Sequence, residues 1–144
     1  MDPTANFGEN VKVGPYSIIG ADVDINDNTV IGNHVTISSN TKVGKDCKIF
    51  HSASIGEVPQ DLKYNNEKTV AEIGDRTVIR EFVTINKGTS ASGKTIVGSD
   101  CLLMASVHIA HDCIVGDHVI MSNLTTLGGH VTIESWSILS GGVL

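Results

Sequence analysis

The sequence predicts an all-β fold, a parallel β-helix shaped as a three-sided prism, and three observations carry that reading. The first is a column of large apolar residues at every sixth position: Phe7, Val13, Ile19, Ile25, Ile31, Ile37, Val43, Ile49 and Ile55, resumed in phase at Ile73, Ile79 and Ile85 and again from Val97 to Leu139. Of the 23 positions in this register, only Asp61, Glu67 and Ala91 are not both large and apolar. The second is a column four residues later made of small or β-branched side chains, such as Val11, Thr29, Val35 and Val107, and it includes all three cysteines, Cys47, Cys101 and Cys113. The third is glycine, which often follows the large residue directly, as at Gly8, Gly14, Gly20, Gly32, Gly44, Gly56, Gly74, Gly98, Gly116 and Gly128.

A period of six matches neither the 3.6-residue helix nor a hairpin spacing, and short β-branched segments between turns favour strands. One hexapeptide per flat face and three faces per coil satisfy it, with coils stacked at about 4.8 Å, the hydrogen-bonding distance between strands. Prisms built from hexapeptides wind left-handed, an exception to the usual right-handed crossover, and the period alone does not fix that hand. The large column fills the interior and the small column fits where the chain turns. The glycines, with the asparagines near them, suit turns that need positive φ.

In chain order, nine hexapeptides run from Phe7 to Ile55. The segment VPQDLKYNNEKTVAE, residues 58–72, is polar and lacks both columns, so it reads as a loop leaving the prism. The register returns at Ile73, breaks again over GTSASGKT, residues 88–95, and then runs uninterrupted from Val97. The whole of residues 1–144 reads as one β-helix domain with two excursions, and excursions on a regular scaffold are where function collects.

A formal net charge of −6 with no basic run opposes non-specific nucleic-acid binding, which needs a cationic face. No stretch of about eighteen apolar residues reads as a membrane span and no segment reads as a signal peptide, so the expected location is cytoplasmic. The cysteines lack metal-ligand spacing and are odd in number, which points to buried thiols rather than disulfides.

The stretch SVHIAHDCIVGDHV, residues 106–119, contains His108, His111 and His118. His130 follows His111 by one whole coil and one further position, so the two are on adjacent coils and nearly stacked at one edge; His108 is placed in the turn leading to that face. His118 lies half a coil away and reads as solvated. His34 and His51, one position short of a whole coil apart, fall on another edge within stacking reach of each other. Three histidines converging on one edge admit two chemistries. They can ligate zinc and leave a position open for water, or one can act as a general base, since imidazole titrates near neutrality. Asp112 favours the second if it orients the ring of His111. The residues alone leave both open, beside a third reading in which the histidines decorate a non-catalytic scaffold.

SIGEVPQDLKY (54–64), EIGDRTVIREFVTINKGT (72–89), VGSDCLLMASVHIAHDCIVGDHV (97–119) and LGGHVTIESWSILSGG (127–142) together resemble the UDP-N-acetylglucosamine acyltransferases that open lipid A biosynthesis. QDLKY followed by HIAHDC is specific within the hexapeptide-repeat superfamily. The resemblance implies that His111 deprotonates the sugar 3-hydroxyl for direct attack on an acyl thioester, with Asp112 in support. It implies that the N–H of Gly129 stabilises the thioester oxyanion, and that His108 and His130 contact substrate. Asp61 and Lys63 would bind the sugar nucleotide and position the acyl donor. The donor would be a 3-hydroxyacyl chain on acyl carrier protein, with no metal and no other cofactor. The assembly would be a homotrimer with sites in the clefts between prisms. The family carries further coils and a C-terminal helical domain, so this chain is expected to be a fragment of such an enzyme. The runner-up is a trimeric hexapeptide-repeat zinc enzyme of the carbonic anhydrase type, which leaves QDLKY unexplained.

Overall fold

The computed structural model describes all 144 residues, and they form a left-handed parallel β-helix without any helix. Twenty strands of two to four residues lie on three flat sheets, two of seven strands and one of six, and every pairing is parallel. The first face runs from Asn6–Phe7 to Thr132–Ile133, the second from Lys12–Val13 to Ile138–Leu139, and the third from Ile18–Ile19 to Thr126–Leu127. On an uninterrupted coil the pairing step is three whole hexapeptides, as in Val97↔Val115 and Ile109↔Leu127.

The large column points inward everywhere. Ile19, Ile25, Ile31, Ile37, Ile55, Ile79, Ile85, Leu103, Ile109 and Met121 are fully buried in one continuous core. Each such burial stabilises the fold by roughly 1.5–3 kcal/mol. Toward the two ends the column is less covered, with Phe7 exposed and Ile133 and Leu139 half-buried, because an interior residue is sealed by coils on both sides.

The small column explains its own composition. Its side chains sit buried at the corners, where a γ-oxygen or sulfur reaches a carbonyl of the next coil. Thr29 Oγ1 donates to Gly44 O and Thr77 Oγ1 to Gly98 O, both at 2.8 Å. Cys47, Cys101 and Cys113 place Sγ 3.1 Å from Gly74 O, Gly116 O and Gly128 O. All three thiols are free and buried, and burial pushes their pKa values up, away from the reactive thiolate.

The expected positive φ is found at Gly56, at 78°, and at the nearby Asn10, Asn28 and Asn40, but the other glycines that follow the large residue play a different part. Positive φ falls two positions after the glycine, at the non-glycine site shared by Asn10, Tyr16, Asp22, Asn28, His34 and so on to Trp136. The glycine itself is required by close approach: a Cβ on Gly74 would lie 2.6 Å from backbone atoms of Gly98 and Ser99 on the following coil. Tyr16, Phe82, Leu124 and Trp136 therefore hold left-handed conformations that cost an ordinary side chain about 1–2 kcal/mol. Coil geometry overrides local preference there.

The excursions are shorter than the sequence suggested. The chain leaves the prism after strand Ser54–Glu57 and returns at strand Val70–Ile73; it leaves again after Thr84–Asn86 and returns at Lys94–Val97. The last residues of 58–72 and 88–95 are thus strand, because Val70 pairs with Lys94 and adds rungs below the usual short ladder. Both excursions depart from the edge between the third and first faces.

Candidate functional site

That same edge carries His111, Asp112, Gly129 and His130 one and two coils beyond the second excursion. Asp112 occupies the left-handed corner position at φ 59°, a conformation aspartate tolerates, and this turns its carboxylate back into the protein. The side chain is wholly buried. Oδ1 accepts from the Thr89 N–H at 3.0 Å, from the Ser92 N–H at 3.3 Å and from Ser92 Oγ. Oδ2 accepts from Thr89 Oγ1 at 2.6 Å and lies 2.8 Å from His111 Nδ1. Burial by itself would raise the Asp112 carboxyl, but the hydrogen bonds from Ser92, Thr89 and His111 outweigh it and hold the group well below the usual carboxylate range.

With Nδ1 engaged by a carboxylate, His111 leaves Nε2 without a hydrogen-bond partner. The ring covers Gly129, where a Cβ would meet Cε1 at 2.6 Å and Nε2 at 2.8 Å. The Gly129 N–H donates to no protein acceptor. His130 packs edge-on against His111 with ring centroids 5.1 Å apart, as a spacing of nearly one coil predicts, and its Nε2 lies 3.9 Å from Asp112 Oδ2. Asp61, Lys63, Tyr64 and Glu67 of the first excursion face Thr89, Ser90, Ala91 and His130 across a cleft of about 240 Å³. The two excursions therefore share one concavity with His130, whose ring packs on that of His111.

His108 is placed otherwise than expected. It lies in strand His108–Ile109 rather than in a turn, and its Nδ1 is 2.7 Å from Thr84 Oγ1 on the preceding coil. Burial lowers its pKa. The position immediately before the large column residue is an outward strand position, so His108 projects from the third face and not from the edge. The three-histidine zinc set consequently does not form. The groups that do approach within 4.8 Å of one another are His111, Asp112 and His130, and both oxygens of Asp112 are already occupied by donors from the second excursion. That saturated carboxylate does not fit a metal ligand.

The remaining histidines take structural stacks. His118 lies flat on Trp136 at 4.0 Å and is not merely solvated. His34 and His51 do not stack on each other: His34 stacks on Tyr16, one whole coil earlier, and His51 meets the edge of Phe82. The corner position repeats by whole coils, and the spacing from His34 to His51 falls one position short of that step.

Thr89, Ser92, Tyr64 and Glu67 belong to the site and are missed by periodicity, which carries no information inside an excursion. The available signal is chemical: TSAS holds three short hydroxyl residues in four positions beside a glycine, a composition that hydrogen-bonds nearby acceptors in a tight turn.

The family described as bacterial transferase hexapeptide, with six repeats, matches residues 4–39 and 94–129, together half of the chain. The chain is 55% identical over 142 residues to an acyl-(acyl-carrier-protein) UDP-N-acetylglucosamine O-acyltransferase of Herminiimonas arsenicoxydans, covering 98% of this chain and 54% of that protein. It is 58% identical over 140 residues to the enzyme of the same name from Thiobacillus denitrificans, covering 96% of this chain and 54% of that protein. Among solved structures, UDP-N-acetylglucosamine O-acyltransferase from Moraxella catarrhalis superposes with a TM-score of 0.96 at 45% identity, over 98% of this chain and 55% of that one. The chain spans about half the length of the curated relatives it matches. No helix is long and apolar enough to cross a membrane.

Proposed function

Because the chain belongs to the bacterial transferase hexapeptide family, we propose that its loop-bearing edge transfers a 3-hydroxyacyl chain from acyl carrier protein to the 3-hydroxyl of UDP-N-acetylglucosamine, the first step of lipid A biosynthesis. One observation carries the reading: His111 is tied through Nδ1 to a buried, ionised Asp112 and keeps Nε2 free over Gly129. The names and high identity of the relatives support the choice of substrates.

In this reading the sugar hydroxyl gives its proton to His111 Nε2 as its oxygen attacks the thioester carbonyl carbon. Negative charge moves to the carbonyl oxygen, where the unengaged N–H of Gly129 stabilises it. Collapse breaks the carbon–sulfur bond, and the departing thiolate recovers the proton from the imidazolium. Asp112 favours the imidazolium and fixes the ring, as the acidic member of a triad does. No acyl-enzyme forms and no cofactor takes part. Asp61 and Lys63 hold the sugar nucleotide and set the acyl donor against it, with His130 contacting substrate at the edge and His108 contacting it where it extends onto the third face. The cytoplasmic enzyme works as a homotrimer, each histidine edge facing a neighbouring prism.

The test is His111→Ala in the intact protein, assayed with UDP-N-acetylglucosamine and 3-hydroxyacyl-acyl carrier protein. Loss of the base lowers transfer by about 10²–10⁴-fold while the fold persists. Activity near that of the parent in a folded His111→Ala protein rejects the assignment.

A further inference from the structure

We infer that the second excursion is a clamp, in which Thr89 and Ser92 are positioning residues that fix the Asp112 carboxylate so that it serves His111 and not His130. This rests on the reading of His111 as the base. A free carboxylate turns about its Cβ–Cγ bond and offers either oxygen to either imidazole. Here every direction is assigned. Oδ1 takes the Thr89 N–H, the Ser92 N–H and the Ser92 hydroxyl, whose one proton is shared between this carboxylate and the Lys94 carbonyl, 2.9 Å from Ser92 Oγ. Oδ2 has two lone pairs, and Thr89 Oγ1 at 2.6 Å fills one while His111 Nδ1 at 2.8 Å takes the other. His130 Nε2, 3.9 Å from the same oxygen, is left outside hydrogen-bonding distance and turned to the cleft.

The clamp is itself rigid. Thr89 Oγ1 accepts from the Ala91 N–H at 3.2 Å, which aims its proton at Asp112. The Gly93 N–H closes the turn onto Thr89 O at 2.7 Å, and the Asp112 N–H donates to Thr95 Oγ1 at 2.9 Å where the chain re-enters the sheet. Neither Thr89 nor Ser92 hydrogen-bonds His111, so substituting them acts through Asp112.

Thr89→Val and Ser92→Ala remove the hydroxyls with little change of volume. Each is expected to lower kcat about tenfold, and the pair about 10²-fold, the scale of an ångström of misplacement at a reacting group. KM for both substrates stays within about twofold, since transition-state geometry rather than ground-state binding is lost. Thr89→Ser, which keeps the hydroxyl, restores the rate. Independently of substrate, the downfield proton NMR signal of the His111 Nδ1–H is expected to move upfield or broaden in the double variant. A double variant with parental kcat, or with that signal unmoved, overturns the clamp. The signal separates this inference from the base assignment: it reports the Asp112 tie even if His111→Ala proves active. Ser92 is exposed, so Ser92→Ala supplies both readouts should Thr89→Val fail to fold.

Discussion

The imidazole of His111 lies over Gly129 so closely that a methyl group there would sit 2.6 Å from ring Cε1 and 2.8 Å from Nε2. Gly129 is outside the left-handed region, so its backbone accepts alanine without strain. Gly129→Ala must therefore displace the ring instead of the chain, pulling Nδ1 from Asp112. Transfer is expected to fall by about 10²-fold or more, with a melting temperature close to that of the parent. A rate assay paired with a thermal melt checks this, and an unaltered rate would show that the ring has room to yield.

Asp112→Asn keeps the shape and the tolerated left-handed conformation but loses the charge that five donors address. Stability at neutral pH should drop by about 1–3 kcal/mol. The carboxyl is held below its unfolded value, so the native state binds fewer protons. Its contribution is complete above about pH 4, the unfolded value, and is lost as pH falls toward the lower native one. Denaturant unfolding of both proteins from pH 7 to pH 3 should show the gap between them narrowing in acid. A constant gap would mean that the ionised carboxylate contributes nothing.

The scaffold was legible to a fine grain. The three register failures measure the excursions. Val43 pairs with Ile73, where an unbroken coil would offer Asp61, and Ile73 pairs with Val97, where it would offer Ala91. The first excursion therefore skips two hexapeptides, at Asp61 and Glu67, and the second skips one, at Ala91. The His111–His130 contact was legible for the same reason, since whole-coil spacing converts to distance. His108 was misplaced although its position before Ile109 is that of Thr84 before Ile85, an outward strand site. The positive-φ column was legible at Asn10, Asn28 and Asn40 and illegible at Phe82, Leu124 and Trp136, which are not turn formers and are put there by coil closure rather than by their own preference. Thr89 and Ser92 escaped because no period runs through an excursion.

The repeating glycines carry a stability prediction. At Gly98 a Cβ would fall 2.5 Å from Gly116 O and 2.6 Å from Gly116 C, backbone atoms fixed in the next coil. Gly98→Ala should cost about 1–3 kcal/mol, the usual range for overpacking. Because φ at Gly98 is not left-handed, the loss reports coil spacing and not strain. Denaturant titration of the single variant is sufficient, and a midpoint matching the parent's would show that the coils can separate locally.

His108 offers a local reading of the same scaffold's dielectric. Its ring is half-buried on the third face against Thr84 Oγ1, and burial lowers its pKa from the ordinary value near 6.5. It should therefore remain neutral at pH 7 and present one ring nitrogen as a donor and one as an acceptor. Here too the native state binds fewer protons than the unfolded chain. The associated stability is complete above about pH 6.5 and declines as pH falls from there toward the native value. An NMR titration of the six histidines should find the His108 signals moving at a pH below 6.5. In Thr84→Ala, where water reaches the ring, the midpoint should rise. A His108 midpoint at or above 6.5 in the parent would show that solvent already reaches the ring, and would remove the case for a neutral hydrogen-bonding group at this position.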